Sequence, residues 1–225
     1  MPDINNILKY SGKILALIKL KKLLIGNGFS YTNWGDDDLA ELRKDVRDFF
    51  RIEQKGICAY CKKDISIQSP ANCHVEHIVP KSKHIEFIFE IKNLCVICAD
   101  CNVIKREQET LNTIPDTITL INGNQRILYP KTSAGFKIIH PHFDDYEKHI
   151  LMVNGWYIDR TDKGAFTIGA CRLNRKLREF GWEEIIYTKE DLSILMNKFM
   201  STDNVIEQVE ILKKFKNIAL KITQS

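Results

Sequence analysis

Two short runs, Cys58-Ala59-Tyr60-Cys61 and Cys98-Ala99-Asp100-Cys101, enclose the segment His74-Val75-Glu76-His77-Ile78-Val79-Pro80-Lys81-Ser82. Each Cys-x-x-Cys run sets two thiolates on a tight turn, and two such runs complete a tetrahedral zinc site with Cys58, Cys61, Cys98 and Cys101 as ligands. The 36 residues between the runs exceed the roughly 15 to 20 of a zinc ribbon, so a folded unit is expected between them, clamped at its base by structural Zn²⁺. The competing reading is a set of buried free cysteines. Cys95, three residues before Cys98, leaves Cys95 and Cys98 open as an alternative second pair. Cys73 and Cys171 have no spaced partner and read as core thiols.

Seven cysteines, four of them in close pairs, do not resemble a secreted disulfide framework and point to a reducing cytoplasm. Lysines at 19, 21 and 22 interrupt the apolar run Ile14 to Ile18, so neither a signal peptide nor a membrane span is expected. Of 225 residues, 44% are apolar, enough for a core. Residues 55 to 106 hold eight Lys/Arg against five Asp/Glu, a surplus of three within a net charge of +4. That suits a polyanionic partner, although a solvated face reads the same way. Lys9, Lys13, Lys19, Lys21 and Lys22, with no acid between residues 4 and 35, suit a phosphate backbone or an acidic partner groove, or a solvated face.

Outward from the motif, apolar spacing predicts a helix over residues 4 to 25, stopped by Gly26-Asn27-Gly28, and a second from about Asp37 to Gln54, stopped by Gly56. The acids Asp36 to Asp38 suit the positive end of that second helix, whose apolar face is Leu39, Leu42, Val46, Phe49 and Phe50. Residues 107 to 145 read as irregular, with a hairpin turn at Asn122-Gly123 between Thr117–Ile121 and Arg126–Tyr129. Further helices are expected over Ala170 to Phe180, from Lys189 behind a Thr188/Asp191 capping box, and over Asn204 to Ile222. The expected fold is α+β: a helical segment 1–55, a zinc-containing core 56–110, and a mostly helical region 111–225, packed as one compact unit.

The segment between the cysteine pairs carries the chemistry. A β-branched strand presents a carboxylate, Glu76, beside an imidazole, His77. Hydrolysis of a phosphodiester needs a base near neutral pH and a cation to offset charge on the phosphate. Strict strand alternation sends Glu76 and His77 to opposite faces, so the strand has to bend or end there for both to serve one site with Asn102. His74, two residues before Glu76, is a further candidate for metal or phosphate.

The runs EHIVPKS and NLCVICADCNVIK resemble the HNH nucleases: an acid or His, a catalytic His, a hydrophobic pair and Pro, then Asn, then Cys-x-x-Cys followed by His or Asn. The resemblance covers about 50 residues and implies a ββα-metal core. It favours Cys98 and Cys101 as the second pair, because the family's Asn lies five residues before the first of those cysteines, as Asn93 does. It also implies His77 as general base, Glu76 and Asn102 as ligands of a catalytic Mg²⁺ or Mn²⁺, and Asn93 as the residue orienting His77 or its loop. The substrate it implies is DNA, with RNA as an alternative.

The flanks, with CAYC behind a helix-ending glycine, HPHFDDYEKHI and GAFTIGACRLNR, resemble the HNH subunit of Septu-type antiphage systems and related retron-linked modules. That implies an ATPase partner of the ABC or structural-maintenance type. In HPHFDDYEKHI, the set His140, His142, Asp144 and His149 suggests a second metal site, against packing on the nuclease core. The rival functions are a zinc-stabilised binding or assembly module without activity, and a stand-alone restriction endonuclease.

Overall fold

The computed structural model describes residues 2–112, 120–121, 124–125, 128–153, 156–180 and 189–222. Helix α1 spans Gly12–Leu23, with Ser11 Oγ accepting from Ile14 N at 3.3 Å. The helix expected over residues 4 to 25 is therefore shorter. Residues 4 to 10 are not helical: Ile4 is buried and its N–H donates to the Pro141 carbonyl, while Asn6 binds the Glu53 carboxylate. A tertiary contact has taken the first apolar residue of the pattern, and Ser11 is a better cap than a helix interior residue. Lys13 and Lys21 are paired with Glu41 and Asp38, whereas Lys9, Lys19 and Lys22 face solvent.

Helix α2, Ala40–Glu53, buries Leu42, Val46 and Phe50 on one stripe, with Leu39 just before it. It ends where Lys55 and then Gly56 turn left-handed (φ 54° and 71°), a termination that favours glycine. Strand β1 (His74–His77) pairs antiparallel with β2 (Leu94–Ile97), setting Glu76 opposite Cys95 and His77 opposite Leu94, and α3 (Ala99–Lys105) follows. Two strands and a helix thus stand in ββα order, with α2 packed across both strands.

The sheet's free edge is closed by one side chain. Val96 N donates to Gln54 Oε1 at 2.8 Å, and Gln54 Nε2 donates to the carbonyls of Val96 (2.8 Å) and Ile57 (2.9 Å). The amide acts as a short third strand, tying the end of α2 to the first cysteine run and to β2.

Beyond α3, Leu120–Ile121 (β3) pairs antiparallel with Asn124–Gln125 (β4). That is the expected hairpin at shorter length; its turn Asn122-Gly123 and the outer residues 113–119 and 126–127 lie outside the described residues. Helix α4 is Tyr146–His149, and β5 (Ile150–Val153) and β6 (Trp156–Asp159) form another two-stranded sheet. Helix α5 spans Asp162–Ala170, and a Cβ on its Gly164 would sit 2.0 Å from the His149 carbonyl oxygen, so only glycine allows this approach to α4.

The helix expected over Ala170 to Phe180 is broken. Its first residue ends α5, Arg172 turns left-handed (φ 43°), and α6 begins at Arg175. Helices α7 (Lys189–Ser201) and α8 (Val205–Ile222) follow, the latter capped by Asn204 Oδ1; Thr188 of the expected capping box lies outside the described residues.

Contacts divide the chain into two units, Met1–Leu151 with Ile158–Leu173, and Met152–Tyr157 with Asn174–Ser225. The first contains the ββα element. The second has its own small core, in which Leu195 and Ile211 pack with Phe199 and Phe215. Among the described residues, no helix is long and apolar enough to cross a membrane.

Candidate metal centre and active site

Cys58, Cys61, Cys98 and Cys101 converge, with their sulfur atoms all within 4.8 Å of one another and Cys61 Sγ 3.6 Å from Cys98 Sγ. A zinc ion bonded to four sulfurs at about 2.3 Å needs S···S edges of roughly 3.8 Å, so the donors fit that ion. Neighbouring thiols pull Cys61 down to about 7, and Cys98 also falls below the usual thiol range. Both shifts favour the thiolate a metal requires. Cys95 lies apart, on β2 opposite Glu76, which removes the alternative pairing. Cys171 is buried as expected of a core thiol, but it also reaches Cys101, a contact that raises the Cys101 thiol. The 70 intervening residues hid that neighbour in the sequence.

β1 ends at His77, and both residues of the pair are buried. Alternation is nevertheless obeyed. Glu76 Oε1 lies 2.5 Å from Nζ of Lys105 on α3, whereas the His77 ring packs edge-on against Trp34 at 4.6 Å and its Nε2 contacts the Ile88 carbonyl at 3.0 Å. A carbonyl only accepts, so Nε2 carries the hydrogen and Nδ1 keeps its lone pair. Burial lowers His77 to about 3, with Lys81 and Lys105 adding to the shift, and the ring is neutral at physiological pH. Burial raises Glu76, opposed chiefly by Lys105 and then by Lys81. The two lysines thus act on both groups, and Lys105 Nζ also donates to the His77 carbonyl at 3.3 Å.

Asn93 stands in the turn Ile91–Asn93 just before β2 and is fully buried. Its Oδ1 accepts from Val79 N (2.7 Å) and Tyr129 Oη (3.1 Å), and its Nδ2 donates to the carbonyls of Val79 and Phe87, both at 3.1 Å. All four of its hydrogen-bonding positions are used. Asn102 lies on α3 one turn before Lys105, half-buried, with no side-chain hydrogen bond among the described residues. His74 is held by the Ala71 carbonyl.

The histidines of HPHFDDYEKHI are occupied by protein partners. His142 Nε2 donates to the Leu94 carbonyl at 2.8 Å, His140 contacts Tyr129, and Asp144 is paired with Lys163 at 3.0 Å. Among the described residues, only the four-cysteine cluster gathers ligands for a metal, so this segment packs on the nuclease core instead of forming a second centre. Lys105, Trp34 and Gln54 were not singled out as site residues in the sequence. A lysine one turn after the candidate ligand Asn102 was the nearest signal, and nothing local marked the other two.

A zinc-type knuckle bracketing a strand with a buried Glu-His pair, and a helix bearing Asn102, is the arrangement that comparison with known families identifies. Residues 58–108 match the HNH endonuclease family. Neither a curated protein nor a solved structure matches the chain. The HNH match contains all four cysteines, Glu76, His77, Asn93 and Asn102, and it supports a nuclease that uses a divalent metal.

Proposed function

We propose that the chain is an endonuclease that hydrolyses phosphodiester bonds of DNA, with His77 as general base. The observation that carries this reading is the polarity of the imidazole: Nε2–H is spent on the Ile88 carbonyl, leaving Nδ1 to accept a proton. In the step, Nδ1 takes a proton from water as the water oxygen attacks phosphorus. The P–O bond to the leaving sugar oxygen breaks, and that oxygen takes a proton from solvent.

Glu76 and Asn102 offer hard oxygen donors suited to Mg²⁺ or Mn²⁺. Such an ion, when bound, offsets the charge that builds on the phosphate. For Glu76 to take it, the Lys105 ammonium has to yield part of its contact. Asn93 holds the loop that supplies the Ile88 carbonyl, and the four cysteines hold a structural zinc that anchors both ends of the module. The resemblance of the flanking segments to the Septu-type subunit supports a further proposal, that an ABC- or structural-maintenance-type ATPase gates cleavage in antiphage defence.

The test is His77→Ala, assayed on plasmid DNA with Mn²⁺ or Mg²⁺, with the ATPase and nucleotide present. Folding, zinc content and DNA binding should survive while cleavage falls by about 10² to 10⁴. Wild-type cleavage by this variant would transfer the assignment to a zinc-stabilised binding module.

A further inference from the structure

The Asn93 amide is held from outside the HNH module by a chain of buried hydrogen bonds whose direction is set at every link. His142 N–H donates to His140 Nδ1 at 3.2 Å, so the hydrogen of the neutral ring sits on Nε2. Burial keeps that ring neutral, pushing its pKa well below the usual histidine range. Nε2–H then points at Tyr129 Oη, 2.9 Å away. With its oxygen accepting from His140, the tyrosine has its own hydrogen free for Asn93 Oδ1 at 3.1 Å.

Asn93 passes this constraint on. Its Nδ2 donates to the Val79 and Phe87 carbonyls, and the next residue after Phe87 is Ile88, whose carbonyl accepts from His77 Nε2. At the far end the chain is anchored by Asp144, whose Oδ2 accepts from His140 N at 2.7 Å and pairs with Lys163 of α5. Tyr129, Asn93, His140 and His77 are all buried, so no water competes at these links.

We propose that Tyr129 and His140 are positioning residues for His77, acting through Asn93: they fix the orientation of its amide and with it the loop that aims the imidazole. The proposal rests on the reading of His77 as the base, and its effect is on geometry, not on binding of DNA. A flipped Asn93 would set its NH₂ against the Val79 N–H and release the loop. A base displaced by about 1 Å loses on the order of 10² in rate.

The test uses the full-length, zinc-loaded protein and three variants. Tyr129→Phe removes the hydroxyl and keeps the ring. Phe136→Leu loosens the same cluster of rings, in which Phe136 packs on Tyr129, and leaves the hydrogen bonds. His77→Ala removes the base. For each, kcat and KM for DNA with Mn²⁺, the thermal midpoint, and hydrogen exchange at the Val79 amide are measured.

Tyr129→Phe should lower kcat by at least about tenfold with KM little changed, the signature of a lost transition-state arrangement, and should speed exchange at Val79. Phe136→Leu should lower the thermal midpoint and keep kcat. Unchanged Val79 exchange in Tyr129→Phe overturns the proposal, as does a kcat that falls in both variants in step with the thermal midpoint. Wild-type cleavage by His77→Ala instead overturns the reading of the base, and Val79 exchange, which needs no activity, then decides the positioning claim by itself.

Discussion

Replacing Lys105 by Met keeps the length of the side-chain stem and deletes the ammonium, which isolates the charge at the centre of the site. Lys105 is fully buried, 2.5 Å from Glu76 Oε1 and 3.3 Å from the His77 carbonyl. With an effective dielectric of about 20, Coulomb's law gives a gross attraction of roughly 7 kcal/mol at that separation. Desolvation of both ions offsets much of it. Removing only one partner leaves a buried carboxylate uncompensated and costs about 3 to 5 kcal/mol. The double variant Glu76→Gln, Lys105→Met carries neither charge and should lie within about 2 kcal/mol of the wild type. Urea denaturation of the zinc-loaded protein, followed by near-UV circular dichroism, measures all four members of the cycle. A Lys105→Met loss below about 1 kcal/mol, or single losses that simply add in the double variant, would refute the claim that this pair is a coupled buried unit.

Gln54→Ala should cost about 2 to 4 kcal/mol, because it orphans the buried Val96 N–H and opens a cavity between α2 and β2; a urea midpoint unchanged from wild type would show that the sheet edge is satisfied otherwise. Elemental analysis should find about one zinc per chain. Cys98→Ser or chelation should unfold the module, since zinc binding contributes on the order of 10 kcal/mol in small zinc domains; a stable, zinc-free protein with native near-UV dichroism contradicts this. His84 is raised above the ordinary histidine value by Glu86, 3.5 Å away, and by Glu109, 2.8 Å away. Its stabilising contribution is therefore complete below about pH 6.5 and lost as pH rises through the higher folded value. Between pH 6 and 8 the wild type should lose more stability than His84→Gln does, and equal losses would dissociate His84 from that pH dependence.

The zinc knuckles, the Glu76-His77 pair and the register of Asn93 and Asn102 could be read directly from the chain, because each depends on residues close in sequence or on a fixed spacing between paired ligands. Helix α2 was legible for the same reason: a local apolar stripe with charge at its start and a left-handed stop at its end. Helix α1 was overread because Ile4 fits a helical pattern locally and is spent instead on Pro141, 137 residues away. What burial and long-range hydrogen bonding decide had no local trace. His140 and His142 have the residue types and spacing of metal ligands, and only the folded chain shows their nitrogens committed to Tyr129 and Leu94. Likewise, the sequence set Glu76 and His77 side by side, but tertiary packing supplied Lys105 to one and Trp34 with the Ile88 carbonyl to the other. A ligand set can be written in a spacing; the partner that orients a buried polar group comes from whichever segment the fold brings within about 3 Å.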